Sequence, residues 1–254
     1  MGRQSKIKRE RRQSGRSSGR RDAGPHLVGT QARYAPEALD ALVHRVERGA
    51  ARLAIEGPHA PTIRTVFVET VRQMESDRRL DGACHMLAAL THVLLSESDV
   101  EARLLIGEVL NPPEDEVRPS SFSHSWNDAG GVLIDVAIAR PQHPMPYGAA
   151  PTLGGYFMPA FEESHYLYGV PVPLDPAAKF VLTRTLGEYA EGARDRGGPD
   201  LWDWYEVACR RLGIKTTAAQ LVQRYRDVGW CHVTTQEGRD VAERLGLREA
   251  VLID

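Results

Sequence analysis

Ser121-Phe122-Ser123-His124-Ser125-Trp126-Asn127-Asp128-Ala129-Gly130-Gly131-Val132-Leu133-Ile134-Asp135-Val136-Ala137-Ile138-Ala139 decides how this chain is read. Two runs of strand-favouring residues, 121–126 and 132–139, flank the turn-forming stretch 127–131, which is the pattern of an antiparallel hairpin. The second run is apolar apart from Asp135, and a carboxylate in a strand that reads as buried needs a partner or it neutralises. The hairpin nominates that partner. With a tight loop at Ala129-Gly130, Asp128 pairs with Gly131 and His124 falls directly opposite Asp135, their Cβ atoms about 4.5–5.5 Å apart. An odd-length loop moves the two to a diagonal.

Working upstream, residues 82–96 form a helix with Asp81 as N-cap and apolar residues around most of its circumference (Ala83, Met86, Leu87, Leu90, Val93, Leu94, Leu95). Such a helix belongs inside a core. Before it, Leu39, Leu42, Val43, Val46 and Leu53, then Ile63, Val66, Phe67, Val71 and Met74, recur at helical spacing on either side of Gly57-Pro58. A strand at 102–110 and a Pro-rich loop at 111–119 lead into the hairpin. Downstream, 140–175 is rich in Pro, Gly and aromatics, among them Tyr147 and Tyr156. It reads as a long ordered loop with a short hairpin, of a length that often forms a functional lid. Helices return at 176–194, 201–212, 218–228 and 236–245. Helices followed by an antiparallel sheet give an α+β fold class. The chain divides into a basic tail (1–33), a core domain (34–175) and a helical C-terminal extension (176–254) that covers the cleft.

The chemistry gathers at Cys84, in Asp81-Gly82-Ala83-Cys84-His85 at the opening turn of the buried helix. A thiol there faces the positive end of the helix dipole and unpaired backbone N–H groups, which stabilise the nucleophilic thiolate. The alternative is a small hydrophobe in a buried helix. With His124 and Asp135 it makes a nucleophile, a base and an orienter in the chain order Cys, His, Asp. The oxyanion of an attacked carbonyl would rest on the Cys84 backbone N–H and a second donor, for which Gln73 is the candidate. Trp126 shares a face with His124, and with Tyr147 and Tyr156 it is a candidate for the substrate side. Cys231, in Gly229-Trp230-Cys231-His232, is the rival nucleophile. His143 and His165 are loop histidines within range of the site, and His85 points about 100° away from Cys84 around the helix. Cys84, His85, His92, Cys231 and His232 lack chelating spacing, so no metal is expected.

Residues 79–139 resemble the transglutaminase-like branch of the papain-like thiol enzymes, which includes the arylamine N-acetyltransferases. The resemblance rests on Cys84 opening a buried helix and on the strand Arg103-Leu104-Leu105-Ile106-Gly107-Glu108-Val109. The His-x-Trp strand His124-Ser125-Trp126 and the acid-bearing strand Ile134-Asp135-Val136 complete it. His85 stands where many members carry an aromatic residue. The resemblance implies a papain-like core with its catalytic helix packed on an antiparallel sheet. It also implies Cys84, His124 and Asp135 as a triad for amide hydrolysis or acyl transfer, of peptidase, amidase, deamidase or transglutaminase type. This chemistry requires no cofactor. An amide- or acyl-bearing substrate, such as a protein or peptide, is the expected partner.

Thirty-two basic against 34 acidic side chains, for a net charge of −2, exclude a protein that coats nucleic acid along its whole length. The first 22 residues carry +7, with almost no apolar residue beyond Ile7. They are expected to be disordered, as a solubility tail or a weak, salt-sensitive contact to nucleic acid. Three cysteines do not make a disulfide framework, and no run reaches the roughly 18 apolar residues of a spanning helix. A cytoplasmic protein with no membrane contact is expected. The reading from another class is a binding protein that keeps the fold without turnover, with the basic tail touching nucleic acid.

Overall fold

The computed structural model describes residues 32–80, 82–111, 120–140, 150–195 and 200–247. Residues 1–31 of the basic tail, Asp81, His143 and Tyr147 lie outside them. Helix α1 (Pro36–Arg52) opens on a proline, whose fixed φ and missing N–H suit a first turn, and buries Val43, Val46 and Ala50. Helix α2 (Ala60–Ser76) turns Ile63, Val66, Phe67, Val71 and Met74 inward. Helix α3 (Cys84–Ser96) buries every residue from Met86 to Leu95. Its N-cap position falls on Ala83, which has no side chain able to cap, so the expectation of Asp81 as N-cap is corrected. The helix therefore opens on Cys84 itself.

Among the described residues eight strands, β1 (Arg103–Asn111), β2 (Ser120–Ala129), β3 (Val132–Asp135), β4 (Thr152–Leu153), β5 (Tyr156–Phe157), β6 (Glu162–Glu163), β7 (Leu167–Val170) and β8 (Cys231–His232), form one sheet in the order β6-β5-β4-β3-β2-β1-β7, with β8 also on β1. Strand β1 (Arg103–Asn111) is buried from Leu104 onward, which explains its nearly unbroken apolar run. Strands β2 (Ser120–Ala129) and β3 (Val132–Asp135) are the expected hairpin with a shifted register. Ala129 pairs with Val132, Asp128 with Leu133 and Asn127 with Ile134, so the loop is Gly130-Gly131 and not Ala129-Gly130. Both loop residues have positive φ, 62° and 89°, as the tightest hairpin turns demand. Only the glycine pair adopts that backbone without strain, whereas the expected loop would have placed Ala129 there. The shift preserves parity. His124 and Asp135 stay on one face as a diagonal pair, Trp126 being the residue across from Asp135 in this register.

Strand β3 also ends earlier than expected. Asp135 Oδ1 accepts the N–H of Ile138 at 3.1 Å, and residues 137–139 form a turn of 3-10 helix. The acid is therefore the stop signal of its strand. The stretch read as a loop supplies four short strands: β4 (Thr152–Leu153), β5 (Tyr156–Phe157), β6 (Glu162–Glu163) and β7 (Leu167–Val170).

The C-terminal helices are α4 (Pro176–Leu182), α5 (Leu186–Asp195), α6 (Leu201–Arg211), α7 (Ala218–Tyr225) and α8 (Gln236–Arg244). The single helix expected over 176–194 is thus two. Thr185 and Glu188 bond reciprocally, Thr185 N–H to Glu188 Oε2 at 2.9 Å and Glu188 N–H to Thr185 Oγ1 at 3.3 Å, a capping box that starts a new helix. Strand β8 (Cys231–His232) runs parallel to β1, opposite Leu105 and Ile106, so the sheet is mixed and not purely antiparallel. No break in packing falls at 175/176, because one apolar cluster joins Phe67, Leu90 and Ile106 to Leu186, Tyr205, Leu221 and Trp230. The expected extension is part of the core. A smaller cluster of Leu105, Val109, Trp126, Ile138, Phe157 and Tyr166 packs separately. Among the described residues no helix is long and apolar enough to cross a membrane.

Gly107 sits where β1 is crossed by its neighbours. A Cβ there would lie 2.9 Å from the Val233 carbonyl oxygen and 3.0 Å from the Trp126 ring. Gly107→Ala is expected to cost about 1–3 kcal/mol by overpacking the seam between β1 and β8. Urea unfolding measures it, and an unchanged midpoint would refute the account.

Candidate active site

Cys84 is the first residue of α3, His124 lies mid-strand in β2, and Asp135 is the last residue of β3. Sheet pairing fixes the second and third relative to each other. Helix packing against β2 brings the first, and the hydrogen bond from Asn127 Nδ2 to the Ala88 carbonyl at 2.9 Å ties α3 to that strand. Asp135 and His124 are 1% and 3% exposed, whereas Cys84 as a whole residue is half-buried.

His124 Nε2 lies 2.9 Å from Asp135 Oδ1. That bond leaves Nδ1 as the imidazole nitrogen available to the thiol. Asp135 Oδ2 accepts the Tyr168 hydroxyl at 2.7 Å, and with the Ile138 N–H the carboxylate has three donors. Burial alone would lower the His124 pKa. The charge and hydrogen bond of Asp135, with those of Cys84, overcome it and raise the imidazole from 6.5 to about 10. At Cys84 burial pushes the thiol up, but the charge of His85 and hydrogen bonds to His124 and His85 pull it well below its ordinary value. No side-chain cap occupies the N-terminus of α3, whose first-turn N–H groups point toward the same end of the helix as the thiol.

The other residues expected at the site fall elsewhere. Gln73 is committed to the seam between α2 and α6, where its Nε2 donates to Glu69 Oε1 at 2.5 Å and its Oε1 accepts Trp204 Nε1 at 3.2 Å. The structure thus gives it a packing role in place of the second oxyanion donor. Trp126 is 3% exposed and sets its ring edge-on to Tyr168, centroids 5.0 Å apart. Its ring packs on the tyrosine that bonds Asp135. Tyr156 stacks on Phe161 at the far edge of the sheet, both partly exposed. His165 packs against Phe157 and Tyr166.

Two contributors escape sequence reasoning. Tyr168 is 33 residues from Asp135 in a strand of four residues, too short for periodicity to register. His85, dismissed on helical angle, reaches β2 through its ring: Nδ1 lies 2.7 Å from Ser125 Oγ. Of the other thiols, Cys209 is buried and pushed up to about 12, first by burial and then by the charge of Glu97. Cys231 is exposed on β8. Among the described residues no group of three or more His, Cys, Asp or Glu is placed to hold a metal ion.

No protein-family model, curated protein or solved structure matches the chain.

Proposed function

We propose that this protein is a cysteine-dependent enzyme of amide hydrolysis or acyl transfer, with a papain-like, transglutaminase-like core and Cys84, His124 and Asp135 as its triad. The observation that carries the reading is the buried His124–Asp135 pair, Nε2 to Oδ1 at 2.9 Å, on the sheet against which α3 packs with Cys84 as its first residue, together with the pull of His85 and His124 on the thiol pKa below its ordinary value. Cys84 attacks the carbonyl carbon, forming the C–S bond as the C=O electron pair moves to oxygen. The Cys84 N–H at the uncapped helix end supports that oxyanion. Collapse breaks the bond to the leaving amine, which takes the proton from His124 Nδ1. Water or an amine then attacks the thioester while His124 removes its proton, and C–S cleavage restores the thiolate. Asp135 holds the imidazole orientation throughout.

An activated ester tests this. p-Nitrophenyl acetate should release a burst of one equivalent of nitrophenolate per chain, leaving an acetyl group on the peptide that contains Cys84. Cys84→Ser should abolish the burst while Cys231→Ala preserves it. A burst that follows Cys231, or none at all from the wild type, would sink the proposal.

A further inference from the structure

The acid of the triad is held from a strand outside it. Tyr168 of β7 donates its hydroxyl to Asp135 Oδ2 at 2.7 Å, and its ring lies edge-on to Trp126 at 5.0 Å between centroids. Burial, then the charge of Asp135, keep the phenol well above its ordinary pKa, so it remains a donor. Tyr168 faces the carboxylate because β7 is bulged. Val109 of β1 pairs with Tyr168 and Glu108 with Val170, which leaves Gly169 as the extra residue. Paired residues share a face, so Tyr168 lies with Val109 on the face of Trp126, while Val170 lies with Glu108 on the other. Gly169 supplies the positive φ, 74°, that such a bulge takes.

The bulge is in turn clamped by residues near the C-terminal end of the described chain. Thr235, the N-cap of α8, donates its hydroxyl to the Tyr168 carbonyl at 2.8 Å, and its N–H donates to the Gly169 carbonyl at 2.8 Å. The same hydroxyl oxygen accepts the Gly238 N–H at 3.0 Å, so one side chain both starts α8 and holds the tyrosine. A Cβ on Gly169 would lie 2.9 Å from the Thr235 nitrogen, and one on Gly238 would lie 2.5 Å from the Gly169 carbonyl oxygen, so this close approach requires both glycines. We propose that Tyr168 is a positioning residue of the triad, fixing the Asp135 carboxylate toward His124, and that Thr235 at the start of α8 sets Tyr168 for that task. The proposal rests on the triad reading and extends it to the last elements of the fold. The phenol bond, with those from His124 and the Ile138 N–H, leaves the carboxylate one orientation. Without the phenol the carboxylate is free to turn, the imidazole follows it, and a displaced base reacts slowly.

The nitrophenolate burst from p-nitrophenyl acetate reads this on the full chain, because its amplitude counts folded, competent sites and its rate constant reports the geometry within each. Tyr168→Phe keeps the ring beside Trp126 and loses only the hydroxyl. Its burst should stay at one equivalent per chain, with the acylation rate constant down about tenfold and the ester concentration at half-saturation unchanged. Thr235→Val, which offers Tyr168 no hydroxyl, should slow the burst in the same way by less, and Thr235→Ser, which restores the hydroxyl, should return the wild-type rate. The Thr235 pair decides the matter if Tyr168→Phe fails to fold. A Tyr168→Phe burst that keeps the wild-type rate constant, whatever its amplitude, would overturn the proposal, as would a Thr235→Ser protein as slow as Thr235→Val. Asp135→Asn separates the two levels. If it slows the burst and Tyr168→Phe does not, the triad stands and the positioning role falls, whereas a wild-type chain without a burst removes the triad and this role with it.

Discussion

Asp135→Ala is expected to destabilise the fold by about 3–5 kcal/mol, the range for breaking a buried charged pair from one side. The carboxylate is 1% exposed and accepts from His124, Tyr168 and Ile138, so truncation strands an imidazole N–H, a phenol and a backbone N–H together. Asp135→Asn keeps the volume and one acceptor oxygen and should cost less, about 1–2 kcal/mol, while losing the charge that sustains the imidazolium. The wild-type stability profile against pH follows from the same contacts. His124 rises from 6.5 to about 10, so its contribution is complete below 6.5 and is lost as pH climbs toward 10. Cys84 is depressed below 9.0, so its contribution is complete above 9.0 and is lost as pH falls through its folded value. From 9.0 down to the folded value of Cys84 or to 6.5, whichever is reached first, the folded pair holds one proton on imidazole and the unfolded pair holds one on sulfur, so the two slopes cancel. Chemical denaturation should therefore show a plateau across that window with losses on both sides. Asp135→Asn should shorten the alkaline end. An Asp135→Ala protein with the wild-type midpoint would refute the role given to the carboxylate.

The second large effect concerns reactivity. A thiol at its ordinary value of 9.0 is about one part in a thousand thiolate at pH 6, whereas Cys84 lies well below that value. His124→Ala should slow alkylation of Cys84 at pH 6 by roughly a hundredfold. Cys231, exposed but without imidazole partners at hydrogen-bonding distance in its strand, serves as the internal standard. A ratio of Cys84 to Cys231 modification that the substitution leaves unchanged would show that His124 does not activate the thiol.

The helices and the central hairpin were readable because α1, α2, α3 and the strands β1 and β2 are long enough for periodicity and burial to leave a pattern, and Gly130-Gly131 marks the turn into β3. Cys84, His124 and Asp135 were legible for a different reason: each violates its surroundings, a thiol at a helix start and an acid in an apolar strand. What periodicity cannot register is the two-residue strand. β4, β5, β6 and β8 are each that short, and their pairing depends on partners far away in sequence. The register slip came from overlooking that both residues of the tightest hairpin loop need positive φ, which Gly130-Gly131 satisfies and Ala129 does not. The break between α4 and α5 did have a local signal, Thr185-x-x-Glu188. Gln73 has its N–H engaged by Glu69, one turn earlier on its own helix and so within reach of local spacing, whereas the Trp204 N–H that its carbonyl oxygen accepts comes from 131 residues on, which no local rule reveals.

The parallel seat of β8 on β1 also bears on when the chain acquires its chemistry. Cys84 is synthesised 146 residues before Trp230. At ordinary elongation rates that interval is on the order of ten seconds. Helix α3 is apolar on most of its surface and waits for α6 and the residues before β8 to cover it. A nascent chain thus carries β1 unpaired along its β8 edge until those residues arrive.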